Sequence, residues 1–291
     1  MEKGRIRKGI GGFYYVETDQ GILECRARGI FRNKSQKPYV GDMVSVTRNE
    51  DGSGNIEEIL PRTSLLLRPP VANATQAIAV FSWIDPKLNA TLLHRMLLAG
   101  EQKGLRMVVC FNKSELMKDA DRRMVTDWFK NTGYPILFTS VAEETNLDLL
   151  VEELKGHISL LAGPSGVGKS SLIEKIARGG HRVEIGELSE KIGRGKHTTR
   201  HVELFRLEGD GYLADTPGFG NLALDEDMDV QELETLFPEF DDYREQCRFK
   251  GCLHINEPDC AVKDAIGGGI SRERYQFYKT IHEEINNGIR R

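Results

Sequence analysis

No stretch of this 291-residue chain approaches the roughly 18 consecutive apolar residues that a membrane-spanning helix requires. Positive charge is present at the N-terminus, but no apolar segment follows it, so we expect neither a secretory signal nor a membrane partner. We therefore expect a cytoplasmic protein. Cysteine is also scarce: five residues exclude a disulfide framework, although three of them fall within fourteen positions, which indicates a metal site.

The charge of the chain is unevenly distributed, although the net value is only −4. Residues 1–48 carry ten lysines and arginines against five acids, residues 191–201 carry four basic residues and no acid, and residues 225–245 carry ten acids and one arginine. Screening confines each field to about 8–10 Å, so either basic patch is able to bind a polyanion locally. A solvated charged surface is the alternative interpretation.

Residues 1–66 are predicted to form an OB-like β-barrel. Short runs of β-branched and aromatic residues are separated by glycine, and no helical periodicity interrupts them. The predicted strands cover 12–16, 21–26, 41–46 and 55–60. A barrel with basic loops suits an oligonucleotide, although the fold alone does not establish that function.

Residues 67–220 alternate strands with helices, which predicts a mostly parallel, doubly wound α/β sheet. Residues 76–81 form a nearly continuous apolar run, as expected for a strand buried on both faces. Further strands are predicted at 107–111, 135–139 and 158–162, and Asn89 is expected to cap a helix. Functional residues should lie at the carboxyl ends of these strands.

A phosphate-binding loop follows the strand at 158–162. The segment fits G-x-x-x-x-G-K-S and leads into a helix, so successive backbone N–H groups can point at one phosphate. Lys169 is expected to neutralise the β- and γ-phosphates of the nucleotide during catalysis, and Ser170 to ligate Mg²⁺. The nucleotide-binding residues predicted here are Gly163, Pro164, Ser165, Gly166, Val167, Gly168, Lys169, Ser170 and Ser171.

Two further segments extend this prediction to GTP. Asp215, at the start of D-T-P-G, can reach Mg²⁺ through water, and the Gly218 N–H can meet the γ-phosphate. The second segment looks like the guanine-reading N-K-x-D motif, whose carboxylate accepts hydrogen bonds from the base. These donors are the N1–H and the exocyclic amine of guanine, and adenine presents the opposite pattern, so the motif favours GTP over ATP. In this chain it consists of Asn112, Lys113, Ser114 and Glu115, with glutamate where aspartate is usual.

The order of these motifs is unusual. In an ordinary GTPase the phosphate loop precedes the base-reading motif, whereas here the base-reading motif comes first and D-T-P-G comes last. A sheet can be cut and rejoined in this way when the original termini lie close together. The sequence therefore predicts a circularly permuted P-loop GTPase domain.

Residues 221–291 are predicted to form a helical zinc-binding module. Three cysteines and one histidine in C-x4-C-x-H-x5-C spacing make a closed tetrahedral set that leaves no position open for catalysis. One structural Zn²⁺ would add folding free energy to this short segment. The predicted ligands are Cys247, Cys252, His254 and Cys260.

The motifs on their own leave two other functions open. A P-loop kinase would use the same loop on ATP, but it has no need for an Asn-Lys motif with a carboxylate. A GTP-sensing RNA-binding module would bind the nucleotide without turnover. A GTP hydrolase is the interpretation we favour.

Taken together, the barrel, the permuted motifs and the cysteine-histidine spacing resemble the ribosome-small-subunit-dependent GTPase family (RsgA/YjeQ type) over essentially the whole chain. Residues 163–171 and 195–199 carry the resemblance most specifically. It implies a factor that binds the small ribosomal subunit and its rRNA late in maturation and hydrolyses GTP there. It also implies stimulation by the subunit, release of another assembly factor, and a monomer off the ribosome.

Within this family resemblance, the barrel is expected to contact rRNA through the basic run that follows its second predicted strand. Phosphate contacts of this kind make binding strongly salt-dependent. The residues expected to contact RNA are Arg26, Arg28, Arg32, Lys34 and Lys37.

The catalytic water requires a separate prediction. In familiar GTPases a glutamine just after D-x-x-G orients it, but Phe219 occupies that position here and has no donor or acceptor. Because Phe219 cannot orient the water, we expect slow hydrolysis by the isolated enzyme. His197 is the best candidate within the chain for that role. One of Thr198 and Thr199, assigned here as Thr199, should contact Mg²⁺. A solvated loop residue or an RNA contact is the alternative for His197.

Overall fold

The computed structural model shows how the three segments are built and joined. It describes residues 1–27, 37–178, 202–207, 209–215, 222, 224–225 and 228–288, with only the backbone of residues 177, 178 and 215.

Five strands of the described N-terminal residues form a closed barrel, which confirms the predicted OB-like fold. β3 and β5 are parallel, and β1 closes the barrel by pairing with β4 as well as β2. The interior is apolar and includes Ile6, Val16 and Ile56, each essentially inaccessible to solvent. The strands are β1 (Glu2–Ile10), β2 (Phe13–Thr18), β3 (Gly21–Ala27), β4 (Met43–Arg48) and β5 (Gly54–Ile59).

The sequence analysis did not predict β1. Four of its nine residues are basic, and of its two isoleucines only Ile6 reaches the barrel core. Gly4 lies against β2, where a Cβ atom would stand 2.4 Å from the Glu17 carbonyl oxygen. The strand forms because its neighbours provide backbone partners on both sides, which hydrophobic periodicity cannot reveal.

A hairpin of β6 (Leu65–Leu67) and β7 (Pro70–Ala72) connects the barrel to the central sheet. That sheet has the order β10-β9-β8-β11-β13-β12, and its strands are parallel except for β12. Every residue of β8 and β11 is buried, as expected for strands covered on both faces. The bounds are β8 (Gln76–Phe81), β9 (Arg106–Phe111), β10 (Ile136–Phe138), β11 (Ile158–Ala162), β12 (Glu203–Arg206) and β13 (Tyr212–Asp215).

Four helices flank this sheet in the described region: α1 (Ala90–Gln102), α2 (Asp119–Trp128), α3 (Leu147–Leu154) and α4 (Lys169–Arg178). Asn89 caps α1, because its side chain accepts a hydrogen bond from the Leu92 backbone N–H. Within the part of the chain that the structure describes, no helix has the length and apolar character needed to cross a membrane.

The barrel and the central sheet are continuous, because β1 pairs with β12 where Lys8 faces Glu203. Arg7 Nε donates to the Leu204 carbonyl at 2.9 Å. Glu17 of β2 accepts hydrogen bonds from Tyr212 Oη at 2.8 Å and from Arg206 at 3.0 Å. These contacts fix the position of the barrel at the β12 edge.

The C-terminal module contains α5 (Val230–Thr235), a 3₁₀ turn (Pro238–Phe240), α6 (Asp241–Arg244), α7 (Ala261–Asp264) and α8 (Arg272–Asn286). Ser271 caps α8 by accepting a hydrogen bond from the Arg274 N–H. Its hydroxyl also donates to the Trp128 carbonyl at the end of α2. Aromatic residues such as Phe237, Phe240 and Tyr278 fill the core of the module.

A fully buried ion pair lies where this module meets the central domain. Arg274 Nε donates to Glu239 Oε1 at 2.7 Å, and both side chains are about 1% exposed. The guanidinium lies 4.7 Å from the centre of the Phe237 ring and 3.5 Å from His94 Nδ1 of α1. Burial lowers the pKa of His94 well below its ordinary value, so this imidazole is neutral beside the arginine.

We expect Glu239→Gln to reduce the free energy of unfolding by about 3–5 kcal/mol, because it leaves the buried Arg274 cation without a counter-charge. Asp127→Asn is the control, since it breaks an exposed pair with Lys130 and should cost less than about 1 kcal/mol. Urea denaturation measures both changes. Equal stabilities for Glu239→Gln and the parent would show that this pair does not hold the module in place.

Candidate functional site

The phosphate loop leaves β11 in a backbone conformation that requires glycine. Gly163 has φ 148°, and a Cβ atom there would stand 2.0 Å from the Val80 carbonyl oxygen. Gly168 has φ 94°, and its Cβ would stand 2.4 Å from Asn112 Nδ2. A side chain at either position would collide with a neighbouring strand end or with the base-reading loop. Both glycines therefore permit close packing as well as the turn itself.

Lys169 begins α4 and folds back across the phosphate loop. Its Nζ donates to the Gly163 carbonyl at 2.7 Å and to the Pro164 carbonyl at 2.8 Å. Partial burial lowers the pKa of Lys169 from its ordinary value. The two acceptors are uncharged, so these contacts leave the positive charge available to an anion that enters the loop. Four residues of the predicted set are exposed along this rim: Ser165, Gly166, Ser170 and Ser171.

Asn112 joins the base-reading motif to the phosphate loop. Its side chain is buried, and Nδ2 donates to the Val167 carbonyl at 2.8 Å. Its Oδ1 accepts from Thr139 Oγ1 at 3.3 Å. Ser114 is also buried, and its N–H donates to the Thr139 carbonyl at 3.0 Å. The two predicted motifs thus form one hydrogen-bonded unit, although 55 residues separate Asn112 from Val167.

Glu115 and Lys113 have the chemistry that a base-reading loop requires. Glu115 Oε2 is buried and lacks a hydrogen-bond partner among the described residues. This oxygen is therefore a hydrogen-bond acceptor that a ligand could use. Lys113 adopts a left-handed backbone conformation, with φ 58°, and its Nζ lies 3.0 Å from Asp85 Oδ2.

The sequence analysis missed Asp85, Thr139 and Ser140, which also lie at this edge. They follow β8 and β10, whose carboxyl ends lie next to the end of β9. Thr139 and Ser140 are fully buried. No sequence motif marks these three residues. The one signal that could have found them is the general rule that polar residues just after parallel strands lie at the same edge of the sheet.

The remaining predicted nucleotide residues are only partly described. Asp215 ends β13, and the preceding residue, Ala214, pairs with Leu160 of β11, so the Asp215 backbone lies at the edge from which the phosphate loop departs. Its side chain is not among the described atoms. Four further predicted or discussed residues lie outside the described residues: His197, Thr198, Thr199 and Gly218. Phe219 lies outside them as well.

The structure brings the four predicted zinc ligands together. The ligand atoms of Cys247, Cys252, His254 and Cys260 all lie within 4.8 Å of one another. The two measured Sγ–Nδ1 distances are 3.6 and 3.4 Å, and the Cys247–Cys260 Sγ–Sγ distance is 3.8 Å. A tetrahedral zinc ion with ordinary bond lengths requires about 3.6 Å and about 3.8 Å, respectively. The donor set therefore fits one structural zinc ion.

The surroundings of the cluster also suit a metal. Burial lowers the pKa of His254 to about 4, so the imidazole is neutral, as a ligand must be. Its Nε2 faces Glu234 Oε2 at 3.6 Å, the carboxylate placement that commonly orients a zinc-bound histidine. Tyr275 Oη donates to the His254 carbonyl at 2.7 Å, and Tyr278 Oη donates to the Leu253 carbonyl at 2.6 Å. α8 thus supports the ligand-bearing loop.

Two members of the predicted RNA patch are described. The Arg26 guanidinium lies 4.6 Å from the centre of the Phe13 ring, and Lys37 Nζ lies 5.7 Å from that of Tyr39. Phe13, Lys37 and Tyr39 help to line a cavity of about 330 Å³ on the barrel. The other three predicted residues, Arg28, Arg32 and Lys34, lie outside the described residues.

Comparison with known proteins places both the N-terminal barrel and the central domain in one family. A family model described as RsgA GTPase matches residues 59–225, and one described as RsgA N-terminal domain matches residues 3–56. The chain is 47% identical over 288 residues to a "Small ribosomal subunit biogenesis GTPase RsgA" from Clostridium novyi, and the match covers 98% of each chain. A protein of the same description from Clostridium perfringens is 48% identical over 286 residues, again covering 98% of each chain.

Solved structures with the same architecture extend the comparison. YjeQ from Thermotoga maritima has a TM-score of 0.83 at 35% identity and covers 98% of each chain. YloQ, described as a circularly permuted GTPase, has a TM-score of 0.82 at 33% identity, covering 98% of this chain and 95% of the other. The predicted fold class, the permutation and the assignment to GTP hydrolases are therefore confirmed, and the chain belongs to the RsgA family of circularly permuted GTPases.

Proposed function

We propose that this protein binds the small ribosomal subunit during its maturation and hydrolyses GTP there. The contact of Asn112 with the phosphate loop is the observation that best supports this proposal, because it joins a guanine-reading motif to a phosphate site in one rigid unit. The relatives named as small ribosomal subunit biogenesis GTPases supply the ribosomal part. We further propose that the protein is a cytoplasmic monomer off the ribosome and that it helps another assembly factor to leave.

The phosphates of GTP would lie in the loop formed by residues 163–168, at the N-terminus of α4. Lys169 would exchange its two loop carbonyls for the β- and γ-phosphates and stabilise the charge that develops during hydrolysis. Ser170, Thr199 and Asp215 would hold Mg²⁺, whose charge helps to neutralise the phosphates. The Gly218 N–H would meet the γ-phosphate.

Guanine would be read by Glu115, whose unpaired Oε2 is able to accept from the base N1–H or the exocyclic amine. Lys113 would lie along the face of the base. Adenine has no donor at the matching position, and this argues against an ATP-dependent kinase. A GTP-sensing module without turnover is distinguished by activity alone.

We assign the three segments separate tasks, with boundaries at 1–66, 67–220 and 221–291. The barrel would contact rRNA through Arg26, Lys37 and the other basic residues of that run, and the second segment would perform hydrolysis. One zinc ion held by the cysteine-histidine cluster would stabilise the third segment without taking part in the reaction.

The first test measures GTP turnover with and without purified small and large ribosomal subunits. We expect slow turnover by the protein alone and a marked increase only with the small subunit, because Phe219 cannot orient the water. His197→Ala should keep nucleotide and subunit binding but lose most of the stimulated rate. A stimulated rate equal to that of the parent would exclude His197 from positioning the water, and an absence of stimulation would contradict the ribosomal role.

The second prediction concerns Lys169. Lys169→Ala should abolish detectable hydrolysis, because the γ-phosphate loses its neutralising charge in the transition state. Lys175→Ala is the control on the same helix, since this lysine pairs with Glu144 away from the loop, and it should leave turnover near the parental rate. Phosphate release under single-turnover conditions measures both, and near-normal release by Lys169→Ala would disprove the assignment.

The third prediction concerns the metal cluster. Elemental analysis should find one zinc per chain, and Cys252→Ser should lose it, become protease-sensitive in residues 221–291 and bind ribosomes weakly. Guanine nucleotide binding should largely persist, because the nucleotide residues lie on the central sheet. Cys25→Ser in the barrel should retain the zinc. Parent protein that contains no stoichiometric zinc would refute the metal assignment.

A further inference from the structure

The Lys113 side chain forms an ion pair that starts from a well-defined backbone. Its backbone lies in the left-handed region, and its carbonyl accepts from the Leu116 N–H at 3.1 Å. The neighbouring Ser114 N–H is fixed to the Thr139 carbonyl. With this backbone the side chain extends toward Asp85, and the Nζ–Oδ2 distance is 3.0 Å.

Asp85 comes from a different strand end. Phe81 of β8 pairs with Phe111 of β9, so the loops after these parallel strands leave the sheet side by side. Asp85 belongs to the first loop and Lys113 to the second. Their ion pair therefore bridges two loops rather than two turns of one helix.

The loop that carries Asp85 is well supported. The Asp85 N–H donates to Ser82 Oγ at 3.2 Å, and the Leu88 N–H donates to the Trp83 carbonyl at 3.1 Å. The Trp83 ring packs 5.9 Å from the Trp128 ring, measured between centroids. The carboxylate is thus presented from a fixed backbone.

The same loop also reaches the phosphate loop. Pro86 Cδ lies 3.7 Å from the position that a Cβ atom of Gly166 would occupy. The segment 82–88 therefore lies close to the phosphate loop at Pro86 and contacts the base-reading loop through Asp85. A carboxylate placed here is able to influence how the base is held.

We propose that Asp85 is a positioning residue for guanine nucleotides, which holds the Lys113 ammonium so that the lysine stem lies ready along the base. A free lysine loses rotamer freedom when it packs on a ligand, and a lysine already pinned loses less. Asp85 then favours GTP and GDP equally, because it acts on the base side of the site. This inference rests on the proposed guanine nucleotide site.

Because the Asp85–Lys113 pair is exposed, we expect its effect in nucleotide affinity and not in the stability of the fold. The Asp85 side chain is 73% exposed, so the pair adds little to the stability of the folded protein. Its contribution belongs to nucleotide affinity, and salt should weaken it because exposed charges are screened.

The test uses the full chain and isothermal calorimetry with GDP, which is not hydrolysed. Asp85→Asn should bind GDP about 3- to 5-fold more weakly than the parent at low salt, because the ion pair no longer orders the lysine. The loss should shrink toward none near 1 M salt. The unfolding midpoint without nucleotide should not change, and Asp85→Glu should recover part of the affinity.

Asp127→Asn is the matched control. It breaks a pair of similar geometry, with a Lys130 Nζ–Asp127 Oδ1 distance of 2.9 Å and 64% exposure of the aspartate, at the C-terminal end of α2 and outside the loops that carry Asp85 and Lys113. GDP affinity should be unchanged in this variant. A loss equal to that of Asp85→Asn would mean that a general change in surface charge causes the effect, and would overturn the proposal.

A double-mutant cycle tests the positioning role of Asp85 separately from the guanine site itself. In a Lys113→Met background, Asp85→Asn should cause no further loss, since its partner is gone. If Asp85→Asn still weakens GDP binding in that background by the full amount, the positioning role is overturned and the guanine site remains. The same conclusion follows if Lys113→Met weakens GDP binding while Asp85→Asn alone does not. If Lys113→Met also binds GDP normally, both the positioning role and the assignment of this loop to guanine fail.

Discussion

A single buried carboxamide, that of Asn112, connects the loop that would read the base to the loop that would hold the phosphates. It donates to the Val167 carbonyl and accepts from Thr139, so it joins segments from three strand ends. Gly168 must be a glycine because the same carboxamide occupies the space of its side chain. The proposed nucleotide site therefore depends on one constraint, which is that β9, β10 and β11 end at the same edge of a parallel sheet.

The permuted chain order follows from the same constraint. A site at the carboxyl edge of a sheet depends on which strands are neighbours and not on the order in which the chain visits them. The permuted order of the chain also determines which segments are joined to the two ends of the GTPase domain. β1 of the barrel pairs with β12 at one edge, and α8 of the C-terminal module contacts α1 and α2 on one face. The buried pair of Arg274 and Glu239 gives this second junction a specific geometry.

Much of the architecture was predictable from local patterns. The bounds of β8 and β11, the cap at Asn89, and the clustering of the metal ligands all agree with the predictions. β1 was not predicted, because a strand with four basic residues among nine and only two isoleucines has no alternation of apolar side chains. The antiparallel strand β12 was missed for a similar reason, since its position depends on partners on both sides. The roles assigned to His197 and Thr199 stay predictions.

The sequence by itself determined the chemistry of the protein, because that chemistry resides in short segments whose geometry is local. A glycine-rich loop between a strand and a helix can present its backbone N–H groups to a phosphate, and closely spaced cysteines and a histidine can converge on one metal. Only the tertiary structure decided which segments meet: Asn112 with Val167, Asp85 with Lys113, and Glu239 with Arg274. Each of these pairs joins residues that are distant in the chain, and their contact depends on strand order and helix packing, which no local pattern encodes.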